Sequence, residues 1–353
     1  MDRKLVGLVV ALAVMGGAAG MELPVRGLHL SAPDKEDVPL LVSFIEEDLP
    51  REGVNVLVLE IGYGFRFPSH PELAAEGALD AGDVRALLRA ARSRDIRLIP
   101  QLNCLGHQSW AEHTFPLLVK YPEFDETPGQ YPNNEGIYCR SYCPLHPDVH
   151  RVVFALIDDL VTAFDAKDFH VGMDEVFLIA SEHCPRCRGK DPAELFAGEV
   201  RALYDHLAEK GVRMWMWGDR FLDGKTTGIG KWEAAENGTH PAVDRVPKDI
   251  VICDWHYEYS PPTPGYFALK GFPVVVSPWR KTDVALHQLG RVRLLREATN
   301  PTLAERAWGV LQTTWCNPAE FVRAYREDPK VRSDSAREAA ACFKALFKAL
   351  REP

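Results

Sequence analysis

The chain has 353 residues, 46% of them hydrophobic and 26% charged, with 8 Trp. That is enough apolar material for a sizeable core, and it excludes a disordered, collagenous or coiled-coil chain. The 41 Lys+Arg against 50 Asp+Glu give a net charge of -9, so there is no basic footprint for nucleic acid and none is expected as a partner.

Taken from the N-terminus, Arg3 and Lys4 precede an apolar stretch from Leu5 to Met15 and then Gly16-Gly17-Ala18-Ala19-Gly20. The pattern predicts a secretory signal peptide over residues 1–20, cut after Gly20, with one domain over residues 21–353. The uncharged run from Leu5 to Met21 is short for a bilayer, which takes roughly 20 apolar residues, so no stable membrane insertion is expected once the leader is gone. The expected destination is the periplasm or the exterior.

Strand-like runs then recur at Val25–Leu30, Val54–Ile61, Ile96–Leu102, Phe169–Met173, Val212–Trp217, Ile250–Cys253, Pro273–Ser277 and Gly309–Thr314. Several are nearly continuous in Val, Ile and Leu, as strands covered on both faces require. Helical spacing of apolar residues separates them over Asp37–Leu49, Asp80–Arg94, His150–Phe164, Pro192–Lys210, Thr282–Glu297 and Pro318–Arg326. Eight strand-then-helix repeats, with no Gly-x-Gly-x-x-Gly after the first strand, predict an α/β fold, a (β/α)8 TIM barrel. Asn103–Pro147 and Gly218–Lys248 become long loops after strands three and five, and Ala336–Leu350 a C-terminal helix packed outside.

Export would permit disulfides among the 8 Cys. Cys139 with Cys143 and Cys184 with Cys187 are close in sequence, and His146 and His183 lie nearby, so one tetrahedral zinc is an alternative. The gap between the two pairs matches no recognised finger spacing, which makes local disulfides or buried free thiols the expectation.

Chemistry in such a barrel sits where strands end. Those ends are polar and aromatic here: Glu60 and Tyr63, Gln101, Asn103 and His107, Asp174 and Glu175, Trp217 and Asp219, Asp254 and Trp255, Trp279, Trp315 and Asn317. Indole faces gathered with carboxylates around one mouth suit the apolar CH faces and the hydroxyls of a pyranose. In His170-Val171-Gly172-Met173-Asp174-Glu175, two adjacent carboxylates fall where strand four becomes a loop and both can face the mouth. Glycoside cleavage needs an acid at the leaving oxygen. If the substrate's own acetamide attacks the anomeric carbon, one further carboxylate suffices to orient it. Glu175 is then the acid/base and Asp174 the polariser, with no metal or organic cofactor.

The chain resembles glycoside hydrolase family 20, the β-N-acetylhexosaminidases, whose fourth strand reads His-x-Gly-Gly-Asp-Glu with a second Gly where Met173 stands. Arg26-Gly27 on strand one, Ile99-Pro100-Gln101 with Gly106-His107 on strand three, Trp217-Gly218-Asp219 on strand five, Ser277-Pro278-Trp279 and Trp315 are similar to further family features in order. The resemblance implies an exported, exo-acting, retaining hydrolase of a terminal β-linked N-acetylhexosamine on a glycan. Its implied sugar-binding residues are Arg26, His107, Trp217, Asp219, Trp255, Tyr257, Trp279, Trp315 and Asn317. Arg280 follows Trp279 where the family commonly has the Tyr that donates to the acetyl oxygen, which leaves Tyr257 as the candidate donor. Asn317 stands where the family has Glu, and Gln101 is a similar loss of charge. Strand one begins almost at the expected cleavage site, so the small domain that often precedes the family's barrel is not expected, and this would be a barrel-only member. Arg280 and Asn317 keep open a glycan-binding barrel without turnover, and a β-glycosidase for sugars lacking the N-acetyl group is a further alternative.

Overall fold

Strands whose side chains alternate between a barrel interior and a helix-covered exterior need apolar residues at both parities, and this chain supplies them. The computed structural model describes residues 23–352, and the expected leader lies outside them. Eight parallel strands close into a barrel in which each pairs with its successor and the last with the first: β1 (Val25–Ser31), β2 (Val56–Glu60), β3 (Arg97–Cys104), β4 (Asp168–Gly172), β5 (Arg213–Trp217), β6 (Val251–Trp255), β7 (Val274–Ser277) and β8 (Ala307–Gln312). Around it lie α1 (Val38–Glu47), α2 (Ala81–Arg92), α3 (Val149–Phe164), α4 (Pro192–Ala208), α5 (Thr263–Leu269), α6 (Thr282–Glu297), α7 (Pro318–Tyr325) and α8 (Asp334–Arg351). The expected (β/α)8 barrel is what forms. Short α5, between β6 and β7, has no counterpart among the predicted helices. The long connections after β3 and β5 are present, and a third follows β4 over 173–191.

Two apolar layers result. Val25, Val56, Val58, Ile99, Trp215, Val251, Cys253, Val275 and Leu311 fill the barrel, while Leu57, Leu59, Ile252 and Val274 pack outward under the helices. Helix ends follow ordinary capping rules. Asp80 accepts from the Gly82 N–H at 2.7 Å while its own N–H donates to Asp83, and Ser333 caps α8, which closes over α6 and α7.

Strand parity decides which residues reach the mouth. Val56 and Val58 point inward, so Glu60 does too, one step further up. The same parity corrects the expectation for Arg26. It follows inward-facing Val25 at the start of β1, so it lies at the N-terminal end of the barrel. Its guanidinium donates to the Gly53 and Leu23 carbonyls, at 2.8 and 3.0 Å. Ser31 and Ala32 occupy the mouth end of this strand.

Candidate active site

The C-terminal face opens into a cavity of about 960 Å³ with Asp174 and Glu175 in its wall. Both carboxylates reach it because the backbone leaves β4 through left-handed residues: Gly172, Met173 and Glu175 have φ of 69°, 72° and 49°. Met173, in place of a second glycine, holds its conformation by burial in the outer apolar layer. Gly172 has no such freedom, because a β-carbon there would meet Asn103 Oδ1 at 2.4 Å and Asn103 Cα at 2.9 Å. Gly172→Ala is expected to lose stability by at least the roughly 1–2 kcal/mol that a left-handed alanine costs, and to lose activity with it. Urea unfolding monitored beside turnover checks this, and wild-type stability would show that the β4 turn adapts.

His107 lies between the two acids. Its Nε2 is 3.1 Å from Asp174 Oδ2 and 3.2 Å from Glu175 Oε2. Burial opposes charge on this ring, but the two carboxylates outweigh it and raise the His107 pKa well above the usual histidine value, favouring the imidazolium. Glu175 is pushed upward, above all by burial; His107 pulls the other way, while the Asp174 and Asp219 charges add to the rise. Asp174 uses Oδ2 on His107 and keeps Oδ1 buried without a hydrogen-bond partner. A buried, unsatisfied carboxylate oxygen on a cavity wall is a ready acceptor for a ligand N–H or O–H.

The aromatic wall consists of Trp255, Tyr257, Trp279 and Trp315. The Tyr257 hydroxyl accepts from Trp315 Nε1 at 2.5 Å and lies 3.4 Å from the Thr313 hydroxyl. Trp279 is fixed by donating Nε1–H to the Thr314 carbonyl at 2.6 Å. Arg280 turns outward, its guanidinium 4.3 Å from the centre of the Trp279 ring and 3.1 Å from Glu338. Asn317 is exposed at the rim, and its side-chain oxygen caps α7 by accepting from the Glu320 N–H.

Two expected binding residues lie behind the wall instead. Trp217 sits beneath the floor, its ring centre 4.6 Å from that of His170 and 5.9 Å from that of Trp315. Asp219 is buried and accepts from the Glu175 N–H at 2.9 Å and from Arg220 at 2.6 Å, so it positions the acid without lining the cavity. Arg220 also donates to the carbonyls of Lys231, Trp232 and Ala234, which fixes the rim segment after β5. His256 pins the same segment from β6. Its Nδ1 is 2.8 Å from Glu233 and its Nε2 3.2 Å from Asp254; burial opposes the charge, yet these carboxylates raise its pKa to about 9.

Residues outside the expected set complete the cavity. Glu60 lines it and accepts from Asn103 at 2.8 Å, Asn103 accepts from Gln101 at 2.9 Å, and Gln101 meets His29 at 3.0 Å, a chain of polar groups under the floor. Burial, reinforced by Asp174, raises the Glu60 pKa against the pull of His107 and Asn103. Tyr138 and Trp110, from the segment after β3, and Trp232, from the one after β5, form an aromatic rim with ring centres 5.0 Å apart at Trp110–Tyr138 and Tyr138–Trp232. The Tyr138 hydroxyl faces Glu175. Parity in β2 signals Glu60; the rim aromatics have no local signal beyond the length of the loops that carry them.

Residues 60–293 match the model of the glycosyl hydrolase family 20 catalytic domain. The chain belongs to this family. It is 24% identical over 253 residues to a beta-hexosaminidase of Vibrio furnissii, a match that covers 70% of this chain and 35% of that protein. The chain therefore spans about a third of the length of that curated relative. Its fold is shared with the chitobiase of Flavobacterium johnsoniae, at a TM-score of 0.61 and 17% identity over 92% of this chain and 50% of that one. It is shared also with dispersin B, at a TM-score of 0.53 and 15% identity over 92% of this chain and 97% of that one. In this family 20 chain the Asp-Glu pair thus stands at the cavity, whereas the arginine of strand one does not.

Proposed function

We propose that the chain hydrolyses the glycosidic bond of a terminal β-linked N-acetylhexosamine with retention, using the substrate's acetamide as the nucleophile, and that it does so after export. The observation that carries this reading is the Asp174–His107–Glu175 cluster under an aromatic wall, with one buried Asp174 oxygen unsatisfied. An acetamide laid between Asp174 and Tyr257 finds an acceptor for its N–H in Asp174 Oδ1 and a donor for its carbonyl in the Tyr257 hydroxyl. With the amide so held, its oxygen attacks the anomeric carbon while Glu175, its pKa raised chiefly by burial, gives a proton to the departing oxygen. His107 holds Asp174 in place through the contact at Oδ2 as positive charge develops on the amide. Water then opens the oxazolinium ring, with Glu175 taking the proton back.

Two carboxylates that converge on one imidazole nitrogen favour one acid and one orienting group over an acid facing a carboxylate nucleophile. Arg280 runs outward and Asn317, at the cavity rim, caps α7, so neither intrudes on the Asp174–His107–Glu175 cluster, and a barrel without turnover would show as binding without nitrophenol release. Hydroxyls of the bound sugar fall to Glu60 and His107, in place of Arg26. The test is release of nitrophenol from an aryl N-acetyl-β-glucosaminide and its galacto epimer beside the plain β-glucoside. Turnover of an N-acetylated substrate alone is expected, and cleavage of the plain glucoside at a similar rate would overturn the reading.

The exposed rim offers a platform for the leaving side of the glycan, since Trp110 and Trp232 keep 49% and 46% of their surface in solvent. Stacking of one ring is worth about 1 kcal/mol. Trp232→Ala is expected to raise KM for a chitobiose-like substrate by roughly 5- to 10-fold at this magnitude. Turnover of a small aryl glycoside should stay near wild type, and equal losses on both substrates would place Trp232 elsewhere in the reaction.

A further inference from the structure

Beyond the sugar site, the two cysteine pairs do not close on themselves. Cys139 points at Glu175, its thiol donating to the Glu175 carbonyl at 3.5 Å. Cys143, four residues on, turns the other way and lies 3.4 Å from the sulfurs of both Cys184 and Cys187. Glu126 joins them, and one oxygen of its carboxylate with the three sulfurs forms a set in which all ligand atoms lie within 4.8 Å of one another. All four side chains are buried. His146 and His183 are not members of the set.

Three features of this cluster call for a cation. First, a disulfide between any two of the sulfurs would strand the third beside a buried carboxylate; a tetrahedral zinc uses all of them. At a Zn–S length of about 2.3 Å the edge of such a tetrahedron is about 3.8 Å, close to the sulfur separations found. Second, Glu126 is half committed: Oε1 accepts from the Ser181 N–H at 3.0 Å, whereas Oε2 is buried without a hydrogen-bond partner. That oxygen faces the three thiols, weak donors that become ligands alongside it when a cation takes the place of their protons. Third, the backbone is arranged for thiolates. The N–H groups of Arg186 and Cys187 point at Cys184 Sγ, and that of Leu145 at Cys143 Sγ, the turn a Cys-x-x-Cys ligand pair adopts.

We propose that Glu126, Cys143, Cys184 and Cys187 bind one structural zinc ion. Three thiolates and a carboxylate carry the same formal charge as a four-cysteine site, and with four protein ligands the site has no open position for catalysis. The ion would cross-link the connection after β3, which carries His107 and Tyr138, to the one after β4, which carries Asp174 and Glu175. Its role is to hold together the two segments that converge on the acid, at a distance from the sugar.

The test is elemental analysis of the full chain, purified under reducing conditions after growth with zinc, together with the visible spectrum of the cobalt-exchanged protein. About one zinc per chain is expected, and cobalt should give the sulfur-to-metal charge-transfer and tetrahedral bands of a three-thiolate site. The double variant Cys184→Ser with Cys187→Ser should lose the ion, Glu126→Gln should release it to a chelator faster than wild type, and Cys342→Ala, outside the cluster, should keep it. Wild-type protein without metal, whether its thiols are all free or its intact mass shows a disulfide, would overturn the proposal, as would a cobalt spectrum lacking thiolate bands. Metal content and spectrum do not depend on turnover, so they stand or fall apart from the hydrolase reading; if the variants do not fold, the wild-type measurements still decide.

Discussion

Glu175→Gln is expected to lower kcat on a glycan or a poor aryl leaving group by roughly 100- to 10,000-fold, the range one general acid supplies. A dinitrophenyl leaving group departs without help, so on that substrate formation of the intermediate should be nearly unaffected. The pH profile carries the sign. Glu175 must hold its proton in the first step, and its pKa is raised, chiefly by burial. The alkaline limb of the rate therefore lies above the ordinary glutamate range, and the rate falls as pH rises through that raised value. Glutamine cannot titrate, so the variant should lose this alkaline limb. Steady-state profiles on both substrates check the prediction, and an intact alkaline limb in Glu175→Gln would move the acid to another residue.

Asp174→Asn is expected to behave differently. It replaces the charged acceptor for the acetamide N–H by a neutral amide and removes the anion facing the developing oxazolinium, a loss on the order of 100- to 1,000-fold for a preorganised electrostatic partner. The loss should be similar for good and poor leaving groups, because the attacking amide is impaired whichever group departs. A second consequence follows from the coupling between the two acids. Asp174 helps to raise the Glu175 pKa, so removing its charge should shift the alkaline limb of the surviving activity to lower pH. A leaving-group dependence as steep as that of Glu175→Gln would contradict the division of roles.

Strand count and order and the position of the acids are legible in the residues because apolar runs alternate with helical spacing and the acids stand directly after the fourth run. Runs such as Val-Leu-Val-Leu-Glu at residues 56–60 declare a strand covered on both faces and, by parity, a carboxylate at its upper end. Arg26 shows how the same rule corrects a resemblance. It stands next to inward-facing Val25 and five residues before Ser31, at the wrong parity and the wrong end for the mouth. Trp217 and Asp219 are placed by sequence at the top of β5, but their exact depth depends on how neighbouring strands stagger, which no local pattern records. The rim aromatics and the cysteine cluster depend on how long loops fold back on one another. Cys139 and Cys143 look like partners four residues apart, and only the course of the loop sends one to Glu175 and the other to Cys184 and Cys187.

The account stands on the substrate's amide as the attacking group, and a series of aryl glycosides differing only in that amide tests it most directly. Stepwise fluorination of the acetyl methyl weakens the carbonyl oxygen as a nucleophile with little change in size. A steep fall in kcat/KM from N-acetyl to N-trifluoroacetyl is predicted, while rates independent of fluorine content would show that the amide does not attack.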